Sequence, residues 1–397
     1  MQDNAPLFVE MECCQLTKFG QAACGDDCRF SCNELEHRYI AVLSDGLGSG
    51  IKANLLATMT TTMAIAFVKS DMDILKSVET IMDSLPVCEV RKISYSTFTI
   101  VDIQLGGRTR VIEMGNPGFV HMRGDTKMVQ PLSCETLVSE RWPERAVQVY
   151  ELDLLVGDRL IACSDGVTQA GLGVKRFKFG WRRSGLVDFL QEGIKRNPDI
   201  SARELSLDVT RKANSLDPGG ECKDDITCMV IYIRHPRVLR LLSGPPYRKE
   251  HDREYALLAA EGSGAYRIAI CGGTTTNIIS RELGIPVEMN MRGRRDALPP
   301  TGRLGHALVT EGVLTLTRLL EDLEDGKSMM EIPSAARELA ELQMESDWIE
   351  FIVGTKVNEA HQDPAMPIDL ELRRSVIKRL SKILEQKYRK RTTIRYY

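Results

Sequence analysis

The sequence lacks the segments that mark a membrane or secreted protein. In its 397 residues, no run approaches the ~18 apolar residues that a membrane-spanning helix needs. The first ten residues contain no basic stretch that leads into an apolar one, so a secretory signal is not expected. We therefore expect a cytoplasmic protein that has no membrane partner.

The sequence also lacks a large excess of charge of one sign. The formal net charge is −3, from 52 Lys and Arg against 55 Asp and Glu, so no basic field marks a nucleic-acid binder. The six histidines are scattered, and no two of them have the helical spacing of a metal site. Hydrophobic residues make up 43% of the chain, enough for one or two buried cores.

The 11 cysteines include no CxxC pair among the early ones, and their odd number does not suit a disulfide framework. Five of them fall close together, at Cys13, Cys14, Cys24, Cys28 and Cys32. One interpretation is a set of small buried side chains on strands. The alternative is a redox-active or metal-binding cluster. In a chain of this length, the pattern favours reduced cytosolic thiols.

The order of elements predicts an α+β domain in residues 1–235. Apolar and β-branched runs predict strands at 38–44, 93–105, 109–114, 118–122, 146–152, 159–163 and 226–233. Helical spacing predicts helices at 51–69, 71–85, 184–196 and 201–213, the last with a capping box. This order fits helices packed on antiparallel sheets.

A glycine and two prolines at 244–246, followed by charged residues, predict a linker at 236–255. Residues 256–397 then predict a smaller, mostly helical α/β domain. It contains a strand at 266–270 and helices at 305–323, 335–344 and 369–387.

Short acidic motifs recur at the predicted strand ends of the first half: Gly25-Asp26-Asp27, Ser44-Asp45-Gly46, Ser164-Asp165-Gly166 and Asp224-Asp225. Each alone is an ordinary turn, but four of them in this arrangement are more specific. Carboxylates at strand ends point into loops, where they can converge, and close aspartates repel unless a cation holds them.

Carboxylate oxygens without histidine suit Mn²⁺ or Mg²⁺ rather than zinc. A glycine after Asp45 and after Asp165 permits positive φ and close backbone approach, so the carbonyl of Gly46 could join the ligands. Two such metals could activate a water for attack on phosphorus, with no serine or cysteine nucleophile.

The chain at this point resembles the PPM or PP2C family of metal-dependent phosphatases, and within it the stage II sporulation protein E branch. The resemblance covers residues 8–235. It rests on these motifs: Gly25-Asp26, residues 42–50 (VLSDGLGSG), Gly115-Asn-Pro-Gly118, Gly157-Asp158 with 162–166 (ACSDG), and Asp224-Asp-Ile-Thr227. The resemblance implies a PP2C-like αββα sandwich, with the metals at one edge between two antiparallel sheets.

The resemblance also implies a site. Asp26, Asp45, Asp165 and Asp224 match catalytic metal-binding positions. The carbonyl of Gly46 matches a further ligand. Asp225 stands beside Asp224, and Asp27 beside Asp26, so a swap within either pair stays open.

Two family features are missing. A histidine that follows the DG motif in eukaryotic members is replaced by Leu47-Gly48, and no arginine near the chain start matches the one that binds the substrate phosphate. The proton for the leaving group must then come from another source, and turnover is expected to be slow or partner-dependent.

Three further segments allow two interpretations each. The basic segment 171–183, which falls at a variable flap of the family, is an anchor for an acidic phosphoprotein or a solvated loop. Gly272-Gly273-Thr274-Thr275 is an anion or nucleotide site at a helix start, or a plain capped turn. The basic tail 387–397 is a nucleic-acid contact or a helix end with a solvated tail.

The leading hypothesis is a phosphatase acting on phosphoserine or phosphothreonine of a protein, with two Mn²⁺ or Mg²⁺ ions. The resemblance suggests an anti-sigma antagonist-type substrate and leaves room for a homodimer. The alternative is a degenerate phosphatase that binds or senses, with an anion or nucleotide held by its C-terminal domain.

Overall fold

The computed structural model describes residues 6–85, 96–124, 127–174, 177–260, 266–289, 298–356 and 368–397. Within these ranges the chain divides into two compact units, Met1–His235 and Pro236–Tyr397.

The first unit contains two mainly antiparallel sheets. One has the order β1-β11-β10-β6-β7, and the other has the order β2-β3-β4-β5-β9-β8. The strands are β1 (Phe8–Leu16), β2 (Asp26–Asn33), β3 (Arg38–Gly46), β4 (Ser96–Gln104), β5 (Thr109–Met114), β6 (Val120–Arg123), β7 (Lys127–Met128), β8 (Ser133–Val138), β9 (Ala146–Leu152), β10 (Arg159–Cys163) and β11 (Ile226–Arg234).

Five helices belong to this unit: α1 (Gly50–Lys69), α2 (Ile74–Ser84), α3 (Asp165–Thr168), α4 (Arg182–Arg196) and α5 (Ala202–Asn214). Helix α5 begins at the predicted capping box, because the Ser201 hydroxyl accepts from Glu204 N and the Glu204 carboxylate accepts from Ser201 N.

Three hydrophobic cores fix the layers of the first unit. The inner faces of the two sheets pack on each other, as Leu43 of β3 and Ile231 of β11 show. Helices α1 and α2 cover the outer face of the β3 sheet, and α4 and α5 cover the outer face of the β11 sheet. The predicted αββα sandwich is therefore confirmed.

Helix α1 has the length and apolarity of a membrane-spanning helix, with a mean hydropathy of 1.4 and a third of its apolar window buried. The expectation that no segment approaches this criterion is therefore wrong. Composition does not separate such a helix from a core helix. Here Ala53, Leu56, Ala57 and Ala64 are buried, on the side of α1 that packs on the sheet.

The second unit is an α/β layer structure built on a seven-stranded sheet of order β14-β15-β16-β13-β12-β17-β18. Its strands are β12 (Val238–Ser243), β13 (Tyr266–Cys271), β14 (Val287–Met289), β15 (Gly302–Leu304), β16 (Ala307–Thr310), β17 (Trp348–Val353) and β18 (Arg391–Tyr396). Five of them, in the order β16-β13-β12-β17-β18, are parallel.

Five helices cover this sheet: α6 (Asp252–Ala260), α7 (Gly273–Leu283), α8 (Val313–Glu324), α9 (Ser334–Met344) and α10 (Ile368–Gln386). Tyr255 of α6 and Ile279 of α7 pack on one face, whereas α8, α9 and α10 pack on the other. Strand β12 comes first in the chain and lies in the middle, so the chain winds outward in both directions. This is the doubly wound arrangement.

Three predictions for this unit are wrong. The predicted linker 236–255 contains the central strand β12, whose six residues are all buried. The helix predicted at 305–323 is the strand β16 followed by α8, because Gly312 separates them. The tail, interpreted as a nucleic-acid contact or as a helix end with a solvated tail, was not expected to contain a strand, but it ends in β18, which pairs with β17 in parallel. The unit is α/β as expected, with more sheet than a mostly helical domain would have.

The position of β12 predicts how strongly its side chains support the fold. Leu241 is fully buried, whereas Tyr247, also inside the predicted linker, is 66% exposed. Leu241→Ala should lower the free energy of unfolding of the second unit by about 2–5 kcal/mol, because it leaves a cavity in the core. Tyr247→Ala should change it by less than about 0.5 kcal/mol. Urea unfolding followed by Trp348 fluorescence, in a background in which Trp142 and Trp181 are replaced by Phe, measures both. Equal tolerance of the two substitutions would mean that 236–255 is a linker after all.

Candidate metal centre

The acidic motifs of the first unit lie together because of how the strands pair. The antiparallel register of β2 and β3 places Asp26 directly opposite Asp45. The amide of Gly46 donates to the carbonyl oxygen of Gly25, at 3.2 Å, which fixes the two strand ends to each other. The carboxylates of Asp26 and Asp45, which lie on the two strands of one hairpin, are thus held together at one end of the sheet that contains β3.

The other sheet brings the remaining aspartates to the same place. Strand β10 ends one residue before Ser164, whose amide donates to the carbonyl oxygen of Thr227 at 3.0 Å. Asp165 follows as the first residue of α3, and Asp224 and Asp225 directly precede β11. The electrostatic coupling described below joins these residues into one group, the aspartate cluster: Asp26, Asp45, Asp165, Asp224 and Asp225.

Burial and mutual repulsion make the aspartate cluster costly to ionise. Desolvation, followed by the charges of the other four aspartates, raises the pKa of Asp45 to about 8. Desolvation also raises the pKa of Asp26 to about 7, although hydrogen bonds from Thr227 and Ser164 oppose the shift. The pKa of Asp165 is raised as well, by desolvation and then by the charge of Asp224.

In the described part of the chain, no three acidic, histidine or cysteine side chains are placed so that they could hold one metal ion. The side chains of Asp45 and Asp165 lie close enough to interact, and a hydrogen bond with Asp45 partly opposes the rise in the pKa of Asp165. The donor set nevertheless fits a hard divalent ion, since it consists of carboxylate oxygens, which Mn²⁺ and Mg²⁺ prefer as ligands.

The glycines of the two DG motifs have a different role from the one predicted. Positive φ was expected, but neither Gly46 nor Gly166 is among the positive-φ residues of the described chain. A Cβ atom at Gly46 would lie 2.0 Å from the carbonyl oxygen of Ala53, and one at Gly166 would lie 2.1 Å from that of Asp225. Both glycines therefore let parts of the chain pack closely beside the aspartates.

The structure separates the two members of the first acidic pair. Asp26 is 2% exposed and accepts a 2.6 Å hydrogen bond from the Thr227 hydroxyl, within the aspartate cluster. The carboxylate of Asp27 lies on the other side of β2, where it accepts from Arg29 Nε at 2.8 Å and from the Thr61 hydroxyl. The second pair is not separated in this way, because Asp224 and Asp225 both act on the pKa of Asp45.

Two side chains at the site were not identified from the sequence. Lys18 donates from its backbone amide to Asp225 Oδ1 at 2.8 Å, and its ammonium group lies 3.5 Å from Asp224 Oδ1. Gln169 donates to Asp165 Oδ2 at 2.7 Å. Lys18 is 206 residues from Asp224, and no motif links the two. Gln169 lies one helical turn after Asp165, which is a signal that could have been used.

The Gly115-Asn-Pro-Gly118 motif lies beside the same strand ends. Asn116 donates to the Thr99 hydroxyl at 3.1 Å and accepts from Thr97, whose neighbour across the strands is Asp45. The carboxylate of Glu113 is buried and accepts from Phe119 N, and desolvation raises its pKa to about 7. The motif therefore supports the loop next to the aspartate cluster.

The basic segment 171–183 is partly tied to this loop. Arg183 donates to the carbonyl oxygens of Gly118 and Phe119, at 3.1 and 2.7 Å. Trp181 is buried, whereas Phe179 is 64% exposed and has the guanidinium of Arg182 4.6 Å from its ring centre. Lys175 and Arg176 lie outside the described residues.

The early cysteines lie on or beside strands, with Cys13 and Cys14 on β1 and Cys28 and Cys32 on β2. All are free thiols, and burial raises the pKa of Cys28. A raised pKa lowers the thiolate fraction and hence the reactivity.

In the second unit, Gly272 directly follows β13 and is the N-cap of α7, and Gly273, Thr274 and Thr275 form the first turn of that helix. This segment belongs to the other compact unit and takes no part in the aspartate cluster.

Comparison with known proteins assigns the family. The profile of the stage II sporulation protein E (SpoIIE) family matches residues 36–234, half of the chain, and the chain belongs to this family of PP2C-type phosphatases. Stage II sporulation protein E of Bacillus subtilis (strain 168) is 28% identical over 222 residues, which cover 55% of this chain. The matched part spans only 25% of that relative's length.

Solved structures give weaker likenesses. The phosphatase domain of the cell fate determinant SpoIIE from Bacillus subtilis is 22% identical and has a TM-score of 0.41. The match covers 59% of this chain and 95% of that one. RsbX, solved in complex with magnesium, is 16% identical with a TM-score of 0.40, over 59% of this chain and 98% of that one.

The raised pKa values predict how pH acts on the metal-free protein. Asp26 and Asp45 hold protons in the folded state up to pH values of about 7 and 8, whereas unfolded aspartates have a pKa of 3.8. Between these values the folded state binds more protons than the unfolded state, so its stability should fall as pH rises from about 4 to about 8.

Thermal unfolding in EDTA should therefore show a Tm that decreases over this range, and Asp45→Asn should flatten the decrease. Mn²⁺ should raise the Tm most at the high end, where protons no longer compete for the carboxylates. A metal-free Tm that rises from pH 5 to pH 8 in the wild type, or a slope that Asp45→Asn leaves intact, would contradict this account.

Proposed function

We propose that the first unit hydrolyses phosphoserine or phosphothreonine on a protein, with two divalent cations, Mn²⁺ or Mg²⁺, held by the aspartate cluster. The observation that carries this proposal is the gathering of carboxylates from four separate chain segments. Desolvation and the charges of neighbouring aspartates raise the pKa values of three of them, Asp26, Asp45 and Asp165. A fold has little reason to hold such repulsion unless a cation offsets it.

The residues that would hold the metals are Asp26, Asp45, Asp165, Asp224 and Asp225, with the carbonyl oxygen of Gly46 as a further ligand. When bound, the two cations acidify a water and neutralise charge on the phosphoryl oxygens.

The chain supplies orientation around these ligands. The Thr227 hydroxyl donates to Asp26, and Gln169 donates to Asp165, so each carboxylate keeps one oxygen directed by the protein. Such outer partners set the geometry of a metal ligand and strengthen its binding.

Lys18 is the cation that we assign to the substrate phosphate. Its ammonium group lies 3.5 Å from Asp224 Oδ1, and its side chain is 32% exposed. It offers a positive charge near the chain start, where no matching arginine was found. Leu47 is hydrophobic and offers no proton to the leaving group.

The substrate is proposed to be a phosphoprotein of the anti-sigma antagonist type, and the setting the cytoplasm. The exposed face of Phe179 with Lys178 and Arg182 is basic, which suits an acidic protein beside the site. A homodimer is compatible with this proposal, and sedimentation of the purified chain measures it.

A second candidate is a degenerate phosphatase that binds a phosphoprotein without hydrolysing it. The specific observation in its favour is that the described side chains, as they stand, form no metal set. Hydrolysis of p-nitrophenyl phosphate with Mn²⁺ separates the two. Binding of Mn²⁺ without turnover would favour the second candidate.

The two neighbouring aspartates of β2 provide a matched test. Asp26→Asn should lower kcat/KM for a phosphoserine peptide by roughly 10–100-fold or more. Loss of a residue that only hydrogen-bonds to a metal ligand costs roughly 10–100-fold, and loss of a ligand itself should cost at least as much. Asp27→Asn should leave kcat/KM within about twofold, because that carboxylate bonds to Arg29 and Thr61 instead. Steady-state kinetics with Mn²⁺ measure both. Equal losses in the two variants, or greater loss in Asp27→Asn, would refute the assignment of Asp26.

Removal of the Lys18 charge should weaken substrate binding. Lys18→Ala should lower kcat/KM about tenfold, the loss expected for one charge-assisted hydrogen bond at a partly exposed site. Lys18→Arg should restore most of the rate. The backbone amide that bonds Asp225 is unchanged in both variants, so the cluster keeps this contact. If Lys18→Arg is as slow as Lys18→Ala, the charge is not what the substrate uses.

A further inference from the structure

The peptide unit between Asp45 and Gly46 lies between two of the proposed metal ligands. One ligand is the carboxylate of Asp45 and the other is the carbonyl oxygen of Gly46. A peptide unit is planar, so fixing its carbonyl and its amide fixes the two α carbons from which both ligands extend. The groups that hold this peptide unit therefore decide where both ligands lie.

Hydroxyl groups hold the carbonyl oxygen of this peptide unit from both faces of the sheet. The carbonyl oxygen of Asp45 accepts from the Ser96 hydroxyl at 2.8 Å and from the Thr97 hydroxyl at 3.4 Å. Ser96 and Thr97 are the first two residues of β4, so their side chains extend to opposite faces. The other end of the unit, the amide of Gly46, donates to the carbonyl oxygen of Gly25 at 3.2 Å. The peptide unit is thus bonded at both ends.

A second buried serine supports Ser96 on the face of the sheet that α1 and α2 cover. Ser44 and Ser96 are fully buried, and their hydroxyl oxygens are 2.5 Å apart. When Ser44 donates to Ser96, the Ser96 proton is left for the carbonyl oxygen of Asp45. Buried hydroxyls need such bonds to offset their desolvation, and this chain of bonds ends at the peptide unit beside the aspartate cluster.

Asn116 holds Thr97 on the opposite face, the one between the two sheets. Thr97 and Thr99 are two residues apart on β4, so their side chains share this face at a spacing of roughly 7 Å. Nδ2 of Asn116 donates to the Thr99 hydroxyl at 3.1 Å, and its Oδ1 accepts from the Thr97 hydroxyl. A carboxamide carries an acceptor beside a donor and can therefore bridge two hydroxyls in this way.

The loop that carries Asn116 is fitted closely to β4. Gly115 has a φ of +81°, and a Cβ atom there would lie 2.6 Å from Cγ2 of Thr97. The loop is also fixed at its far end, where the amide of Phe119 donates to the carboxylate of Glu113 at 2.9 Å. Asn116 is therefore held in place relative to Thr97 by the backbone on both sides of it.

We propose that Ser96, Thr97 and Asn116 are positioning residues of the metal centre. Their hydrogen bonds hold the Asp45–Gly46 peptide unit so that the carboxylate of Asp45 and the carbonyl oxygen of Gly46 reach the divalent cations together. Ser96 contributes most, because its bond to the carbonyl oxygen is the shorter one and the Thr97 proton is shared with Asn116. This inference rests on the proposed function, since it assigns these residues a role toward the cations.

Four substitutions in the full chain test these roles with little change of shape. Ser96→Ala removes the hydroxyl with the shorter bond. Thr97→Val removes the other hydroxyl and keeps the β-branched shape that suits a strand, whereas Thr97→Ser keeps the hydroxyl. Thr136→Val is the control, because Thr136 lies on the edge strand β8 and donates to Gln148 Oε1 at 2.8 Å instead.

Isothermal calorimetry with Mn²⁺ at pH 7 measures the effect on the metal centre. Ser96→Ala should lower Mn²⁺ affinity roughly 10–100-fold, as loss of an outer partner of a metal ligand does. Thr97→Val should lower it about three- to tenfold, the effect of one neutral hydrogen bond. Thr97→Ser should restore most of that loss, and Thr136→Val should leave the affinity unchanged. Asn116→Leu added to Thr97→Val should cost little more, because Asn116 acts through the Thr97 hydroxyl.

Hydrogen exchange in EDTA gives a second readout that needs no metal. The amide of Gly46 should exchange faster in Ser96→Ala than in the wild type, because the peptide unit has lost its main bond at the carbonyl end. Thr136→Val should leave this exchange rate as it is. An unchanged rate in Ser96→Ala would contradict the proposal.

Unchanged Mn²⁺ affinity in Ser96→Ala, even with a lower Tm, would overturn the proposal, since it would show a role in stability alone. Equal losses in Thr97→Ser and Thr97→Val would overturn the role of the Thr97 hydroxyl. If the wild type binds no Mn²⁺, the metal centre fails and these roles fail with it. If the wild type binds Mn²⁺ and the variants bind it equally well, only the positioning roles fail.

Discussion

The repulsion among five aspartates at one edge of the sandwich is the constraint on which the first unit depends. Asp26, Asp45 and Asp165 have raised pKa values because they are desolvated and because each lies in the field of the others. Hydroxyl groups and one lysine offset only part of this cost. The proposed cations would offset the remainder, and the SpoIIE family to which the chain belongs is one of PP2C-type phosphatases.

The fold holds the aspartates together, despite their repulsion and desolvation, by placing them at the ends of elements that hydrophobic packing keeps rigid. Asp45 is the last residue but one of β3, a strand that is buried over most of its length. Asp225 directly precedes β11, which is buried throughout. The glycines of the DG motifs then allow α1 and the β11 entry to pack against these strand ends without side chains between them. The aspartates therefore lie in or directly beside elements of two stable sheets.

Much of this arrangement could be predicted from the sequence because it is local. An apolar run followed by Asp-Gly predicts both where a strand ends and where a carboxylate lies. Strands β9 and β10 also have the bounds that their hydrophobic patterns indicate. Lys18 could not be predicted, since its place beside Asp224 depends on how β1 pairs with β11. The direction of Asp26 rather than Asp27 into the cluster likewise depends on which face of β2 is turned inward.

The second unit was harder to predict because its signals compete. The glycine and prolines after Ser243 are typical of a linker, yet they follow a central strand that is only six residues long and contains Arg240. Strand β18 is mostly exposed and contains two arginines, so its sequence resembles a solvated tail, and only pairing with β17 makes it a strand. Nonlocal pairing, which no single segment encodes, decided both cases.

The central claim is that divalent cations replace protons in the aspartate cluster, and calorimetric titration of Mn²⁺ at pH 7 in two buffers of different ionisation enthalpy tests it most directly. The account predicts two Mn²⁺ per chain and release of about one to two protons as they bind. It also predicts that Asp165→Asn removes at least one of the two ions. Binding of no Mn²⁺, or binding without proton release and unchanged in Asp165→Asn, would contradict it.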